Sequence, residues 1–189
     1  MTDSSNKTNA GPVNGQIFLT GFRGSGKTSV AAIVGSRIGL PTVDLDAEIV
    51  LAAGKTIADI FRDSGEDCFR DWETKLLKTA ADGPQAIISL GGGAVLRPEN
   101  RQLIRSSGVC IWLDADPVVI AKRLAGDEAT ESQRPGLTSL PVELEIRDLM
   151  QARRPIYDEI SELRVDTDRL TIDQVAEQIA DWLTLPNKG

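Results

Sequence analysis

One stretch constrains the fold more than any other: Gly21-Phe-Arg-Gly-Ser-Gly26-Lys27-Thr28 follows the apolar run Ile17-Phe18-Leu19 and opens a pattern in which Val30, Ile33, Val34 and Ile38 share a helix face. Strand, glycine turn and helix in that order form a phosphate cradle, the P-loop. The glycines let the backbone curl until successive N–H groups point inward, and the helix N-terminus adds the positive end of its dipole. On this reading Gly24, Ser25, Gly26, Lys27, Thr28 and Ser29 bind ATP, with Lys27 reaching the β and γ phosphates. The Thr28 hydroxyl is then a ligand for Mg²⁺, which keeps most of its water and needs few protein ligands. The chain has no Asn-Lys-x-Asp run to read guanine, which favours ATP over GTP. A plain glycine-rich turn carrying an exposed lysine is the alternative.

Further along, short apolar runs alternate with helical patterns, the signature of a parallel sheet flanked by helices. The predicted strands are Ile17–Leu19, Thr42–Asp44, Ile87–Leu90, Val109–Leu113 and Leu163–Val165, mostly apolar on both faces as buried parallel strands are. Phe69, Trp72, Leu76 and Ala80 mark a helix before the third strand, with a face that should pack on the sheet. Asp116-Pro117 reads as an N-cap followed by proline at the first helical position, and Thr171-Ile-Asp-Gln174 as a capping box ahead of the stripe Val175, Ile179, Leu183. The fold class is therefore α/β, in three layers (α/β/α) about a five-stranded parallel sheet. From Gly126 to Pro141 the chain is polar, with Gly136, two prolines and no period; loops of that length are functional lids or disordered segments. The expected organisation is a disordered tail over residues 1–15 and one domain over 16–185, with a mobile lid over about 124–141.

A chain of 189 residues can bury one substantial core, and 41% apolar with 26% charged residues is ordinary for a globular protein. The net charge of −7 would repel a phosphate backbone, so nucleic acid is not an expected partner and an anionic ligand must be met by local cations. No run approaches the roughly 18 consecutive apolar residues of a membrane span. Without an export signal the expected location is cytoplasmic, and Cys68 and Cys110 read as two thiols. Histidine is absent, which excludes histidine-dependent triads and metal sites and leaves proton transfer to carboxylate, lysine, tyrosine or the substrate itself.

After the second strand comes Asp44-Leu45-Asp46, and a period of two would put both carboxylates on one side near the strand's carboxyl end, where open α/β sheets bind ligands. Like charges so close call for a cation or a hydroxyl-rich ligand between them, one carboxylate serving Mg²⁺ and the other a substrate hydroxyl. A solvated loop with a helix cap is the other reading. Gly91-Gly92-Gly93 ends the third strand and suits a ligand that approaches the backbone closely, though a plain turn reads the same. Arg70, Arg134 and Arg153 offer planar forks for carboxylate or phosphate; any one of them alone is more often a surface residue.

Taken in order from Ile17 to Leu183, these motifs resemble those of the shikimate kinase family. They are the P-loop, Asp44-Leu-Asp46, Ile57-Ala-Asp-Ile-Phe with Gly65-Glu66 and Phe69-Arg70-x-x-Glu73, Ser89-Leu-Gly-Gly-Gly-Ala94, Arg134-Pro135, and Arg153-x-Pro-x-Tyr157. The resemblance implies a nucleoside-monophosphate-kinase-like P-loop fold and ATP- and Mg²⁺-dependent phosphorylation of the 3-hydroxyl of shikimate, in aromatic amino-acid (chorismate) biosynthesis, by a monomer. It implies that Asp46, Arg70, the backbone of Gly91, Gly92 and Gly93, and Arg153 hold shikimate, the arginines on its carboxylate and Asp46 on its hydroxyls. Lys27, Asp46 and Arg134 are the implied catalytic residues, Asp46 as the base and Arg134 as the lid arginine that closes on the ATP phosphates. By the same resemblance Asp44 meets Mg²⁺ through water, Ser89 lies beside it, Glu73 orients Arg70, and Arg123 lies against the adenine. The chain departs from the family in the lid, where Arg134-Pro-Gly-Leu-Thr-Ser-Leu-Pro141 replaces a shorter Arg-Pro-Leu-Leu.

Two rivals stand beside this reading. Another small-molecule kinase of the same fold, for gluconate or a nucleotide, would keep the P-loop but lack Ser89-Leu-Gly-Gly-Gly93 and Phe69-Arg-x-x-Glu73. A silent P-loop binding module would not be expected to retain Lys27, Thr28, Asp46 and Arg134 together.

Overall fold

The strand that precedes the P-loop, β1 (Gln16–Thr20), is buried along its whole length and forms the centre of a five-stranded sheet. This computed structural model describes residues 14–126 and 142–185. The expected tail up to residue 13, and residues 127–141 of the expected lid with Arg134, lie outside the described residues.

The other strands are β2 (Thr42–Asp44), β3 (Ile87–Ser89), β4 (Gly108–Asp114) and β5 (Leu163–Asp166), all parallel, in the order β2-β3-β1-β4-β5. Each coincides with an expected strand to within a residue or so at its ends, the precision with which such boundaries are defined. Register brings the strand ends that matter together: Leu19 and Asp44 both pair with Ser89. Because the chain runs outward from β1 to β2 and then returns past it to β4, the carboxyl ends of the central strands form the crevice in which this type of sheet takes ligands.

Seven α-helices are described: α1 (Lys27–Ile38), α2 (Leu45–Ala53), α3 (Ile57–Ala81), α4 (Pro98–Ser107), α5 (Pro117–Ala125), α6 (Val142–Ile160) and α7 (Ile172–Thr184). Ile17 and Leu19 of β1 face α1 and α7 in a core with Val30, Val34, Ile111, Val165, Val175 and Ile179. Phe18 faces the other way, with Ile88, Cys110 and Trp112 against Leu77, Ile104, Tyr157 and Ile160. The alternation of β1 thus serves two apolar cores at once, and each such side chain contributes about 1.5–3 kcal/mol by leaving water. Both cysteines are free thiols, and burial pushes that of Cys110 up.

The caps follow the sequence signals. Asp116 accepts from the Val118 N–H at 2.8 Å, and Thr171 and Gln174 form a reciprocal capping box at the start of α7. Three expectations are corrected. The α3 face does not pack wholly on the sheet: the helix breaks at Gly65 (φ 79°), and Phe69 joins Ile49, Ile57 and Ile60 in a separate core against α2, while Leu77 reaches the sheet. Nor do Asp44 and Asp46 alternate along a strand, because β2 ends at Asp44 and this residue caps α2, accepting from the Ala47 N–H at 3.1 Å. Two residues along a helix is a turn of about 200°, so the carboxylates point to different partners. Leu124 and Ala125, expected in the lid, belong to the last turn of α5. Among the described residues no helix is long and apolar enough to cross a membrane.

Candidate active site

The loop between β1 and α1 is curled by Gly24 and Gly26, whose φ values of 79° and 91° lie in the left-handed region that glycine enters without strain. Gly26 is the N-cap of α1 and supplies no side-chain acceptor, so the first turn of the helix offers its N–H groups to a ligand. Lys27 folds back over the loop and donates to the carbonyls of Gly21 and Phe22, both at 3.0 Å. Ser25 is buried in the loop, whereas Thr28 and Ser29 are exposed on the first turn of α1.

Oxygen-bearing side chains gather beside that turn. The Thr28 hydroxyl donates to Asp44 Oδ2 at 2.5 Å and lies 3.4 Å from the Ser89 hydroxyl. Such a set of a few oxygens, without nitrogen or sulfur, suits Mg²⁺, which takes one or two protein oxygens and completes its shell with water and phosphate. On the other side of the P-loop is a cleft of about 270 Å³, lined by Gly24, Gly26, Arg123, Thr167, Leu170 and Ile172 among others. Arg123 donates to the Thr167 carbonyl at 2.6 Å and to its hydroxyl at 3.1 Å, which fixes the guanidinium at the cleft wall.

Across the sheet ends stands the turn Gly91–Gly93, buried throughout. A Cβ on Gly91 would meet Glu73 Oε1 at 2.6 Å and Asp46 Oδ1 at 2.8 Å, and one on Gly93 would meet Arg70 Nη1 at 2.3 Å. A Cβ on Gly92 would lie 3.3 Å from the Gly21 carbonyl oxygen of the P-loop. Close approach therefore leaves no room for a Cβ at Gly91 and Gly93 without a shift of their neighbours, and little at Gly92. The three glycines let the backbone of one turn touch the phosphate loop and the acidic and basic side chains together. Asn100 holds the exit of this turn by donating to the Ala94 carbonyl at 2.7 Å.

Arg70 projects from the second half of α3. Its Nη1 donates to Glu73 Oε2, a carboxylate with no exposed surface, while Nε and Nη2 both donate to Glu66 Oε1 at 3.1 and 2.7 Å. Burial alone would lower the pKa of this guanidinium, but Glu73 and Glu66 outweigh it and raise the pKa above the ordinary arginine value. Arg153, on α6, donates from Nη1 to the Gly92 carbonyl at 3.1 Å, and its guanidinium lies 5.5 Å from the centre of the Phe22 ring of the P-loop. The Tyr157 hydroxyl, one helical turn on, donates to the same carbonyl at 2.7 Å.

The structure thus brings Asp46, Arg70, Gly91, Gly92, Gly93 and Arg153 together around one turn, and that turn against the P-loop. It adds residues for which sequence reasoning assigned no role. Tyr157 holds Gly92, Phe22 lies under Arg153, Glu66 holds Arg70, and Leu170 and Ile172 line the cleft. Glu66 carries a readable local signal, since a carboxylate four residues before an arginine on a helix is placed to pair with it, and Tyr157 stands in the Arg153-x-Pro-x-Tyr157 motif without a role read from it.

Comparison with known proteins bears on the family and the fold. The family model for shikimate kinase matches residues 23–184. The shikimate kinase of Rhodopirellula baltica is 43% identical over 163 residues, covering 86% of this chain and 87% of that one; that of Symbiobacterium thermophilum is 41% identical over 167 residues, covering 88% and 95%. Among solved structures, the shikimate kinase of Acinetobacter baumannii in complex with shikimate superposes with a TM-score of 0.82 at 29% identity, covering 88% of this chain and 91% of that one. A gluconokinase of Sinorhizobium meliloti, with a TM-score of 0.57, 16% identity and 93% coverage of both chains, shares the fold alone.

Tyr157 makes the geometry of the turn measurable, because it is the only tyrosine in the chain. Burial pushes its hydroxyl up to about 12, with Arg153 opposing in part, so it stays a donor to Gly92 well above the pH at which a free tyrosine ionises. The raised value stabilises the fold fully below about pH 10, and that contribution is lost as pH rises from there toward about 12. The ultraviolet tyrosinate band should therefore develop near pH 12 in the folded protein. Development near pH 10 with the fold intact would show the hydroxyl to be solvated.

Proposed function

The chain belongs to the shikimate kinase family, and we propose that it transfers the γ-phosphoryl group of ATP to the 3-hydroxyl of shikimate, giving shikimate 3-phosphate and ADP. The observation that carries this reading is the Gly91–Gly93 turn, which has the phosphate loop on one side and Asp46, Arg70 and Arg153 on the other. The product serves aromatic amino-acid biosynthesis.

The chemistry follows from what each group can do. Gly24, Ser25, Gly26, Lys27, Thr28 and Ser29 hold the ATP phosphates, and Lys27 exchanges its two loop carbonyls for phosphate oxygens. The adenine occupies the cleft beside Arg123, in reach of Leu170 and Ile172. Thr28, with Asp44 through water and Ser89 nearby, would hold Mg²⁺, which neutralises charge between the β and γ phosphates when bound.

Shikimate is a hydroxylated carboxylate, and the site separates its two kinds of group. Arg70 and Arg153 take the carboxylate with their planar forks, and the backbone of Gly91, Gly92 and Gly93 admits the ring closely. Asp46, at the end of the turn nearest the P-loop strand, takes the hydroxyls and accepts the proton of the 3-hydroxyl as its oxygen attacks phosphorus. Phosphoryl transfer asks little covalent chemistry of a protein, so positioning and charge stabilisation are the main contributions. Arg134 lies outside the described residues; in this reading its charge serves the ATP phosphates.

The direct test is ADP release from Mg²⁺-ATP with shikimate, gluconate, a nucleoside monophosphate or no acceptor. Stimulation by shikimate alone is expected; stimulation by gluconate or the nucleotide instead would reject shikimate as the acceptor, and none at all would leave a silent nucleotide-binding module. Asp46→Asn should lower turnover by about 10²–10⁴ while ATP binding is retained, since the P-loop is untouched. Equal loss of both would remove Asp46 from the role of base.

A further inference from the structure

Glu66 is not used in the transfer as described, yet it occupies part of the substrate-binding arginine. A guanidinium presents two edges that can each grip a carboxylate with parallel hydrogen bonds. In Arg70 the edge formed by Nε and Nη2 is taken by Glu66, both bonds ending on Oε1 at 3.1 and 2.7 Å. The remaining nitrogen, Nη1, is held by Glu73. The two carboxylates differ in character. Glu73 is wholly buried and lies against Gly91, so it is part of the fixed framework. The Glu66 side chain is 52% exposed, while Arg70 is only 11% exposed. Glu66 also stands one residue beyond the break at Gly65, at the start of the second half of α3. It can leave Arg70 for water at little cost; Glu73 cannot.

Resting on the reading of Arg70 as a shikimate ligand, we infer that Glu66 is a resident carboxylate that an acceptor must displace, and so sets both the affinity and the selectivity of the site. With Glu66 in place the Nε–Nη2 edge of Arg70 is satisfied, and weakly binding anions gain little by entering. A neutral polyol has no group to exchange for Glu66. An acceptor carboxylate that is also held by Arg153 gains a second guanidinium in the exchange, which Glu66 alone does not have. The cost is lower apparent affinity for the true acceptor, because the fraction of Arg70 open to it multiplies its binding constant.

The test uses the full-length enzyme with Glu66→Gln, which removes the charge, and Glu66→Ala, which also removes the acceptor. Both should bind shikimate about two- to fivefold more tightly than the parent, the factor expected for one half-exposed ion pair. The effect should fall on KM for shikimate and not on KM for ATP, and inhibition by a simple carboxylate such as benzoate should strengthen in parallel. Weaker shikimate binding, with unaltered thermal stability, would make Glu66 a positioning residue for Arg70 and overturn the inference; unchanged binding in both variants would overturn it as well. If the parent enzyme itself binds no shikimate, the functional reading fails first, and that outcome is distinct from either.

Discussion

The backbone of Gly91–Gly93 can serve two neighbours only because it carries no side chains. On one side Gly92 packs on the P-loop carbonyl of Gly21; on the other, Asp46, Glu73 and Arg70 press so close that a single added carbon would overlap them. Around this contact the remaining elements find their purpose. β3 delivers the turn beside β1, α2 delivers Asp46, α3 delivers Arg70 with Glu73, and α6 delivers Arg153 and Tyr157 onto the Gly92 carbonyl. The P-loop and the side chains proposed to hold the acceptor thereby meet on one turn, which would place a nucleophile in line with a phosphorus atom.

The electrostatics of the site make sense as preparation for a ligand more than as stabilisation of the fold. Burying Arg70 and Glu73 together costs desolvation that their attraction offsets at best, and an apolar pair of similar size often serves stability as well. What the pair gains is a cation held at a fixed place beneath the turn. In a chain of net charge −7 the proposed reception of an anionic substrate rests on such fixed cations. Lys27, Arg70, Arg123 and Arg153 each rest on protein carbonyls or carboxylates that a ligand's own oxygens can supplement or replace.

Much of this was legible in the sequence because it is written in local patterns. The P-loop declares itself through glycine spacing between a strand and a helix, α7 through its capping box, and the parallel sheet through apolar runs without alternation. The glycine triplet was compatible with a close approach, though a plain turn reads the same. What the sequence left open depends on contacts between distant segments. The Asp44–Asp46 pair reads as strand alternation, and only the immediate start of α2 at Leu45 sends one carboxylate to Thr28 and the other to Gly91. Tyr157 meets Gly92 across 65 residues of chain, and no local period reveals that. α2, α4 and α6 are not among the helices that sequence patterns mark, and α6 contains Pro155, a residue that ordinarily signals an end.

The central claim is that the acceptor site exists because Gly93 leaves room for Arg70. Gly93→Ala tests it most directly, by calorimetric titration of the variant with shikimate and, separately, with an ATP analogue. A Cβ 2.3 Å from Arg70 Nη1 must displace the guanidinium, so shikimate affinity should fall by about a hundredfold while nucleotide affinity stays within about twofold. Shikimate binding that survives the added methyl group unchanged would contradict the account, since Arg70 could not then be the group that receives the substrate.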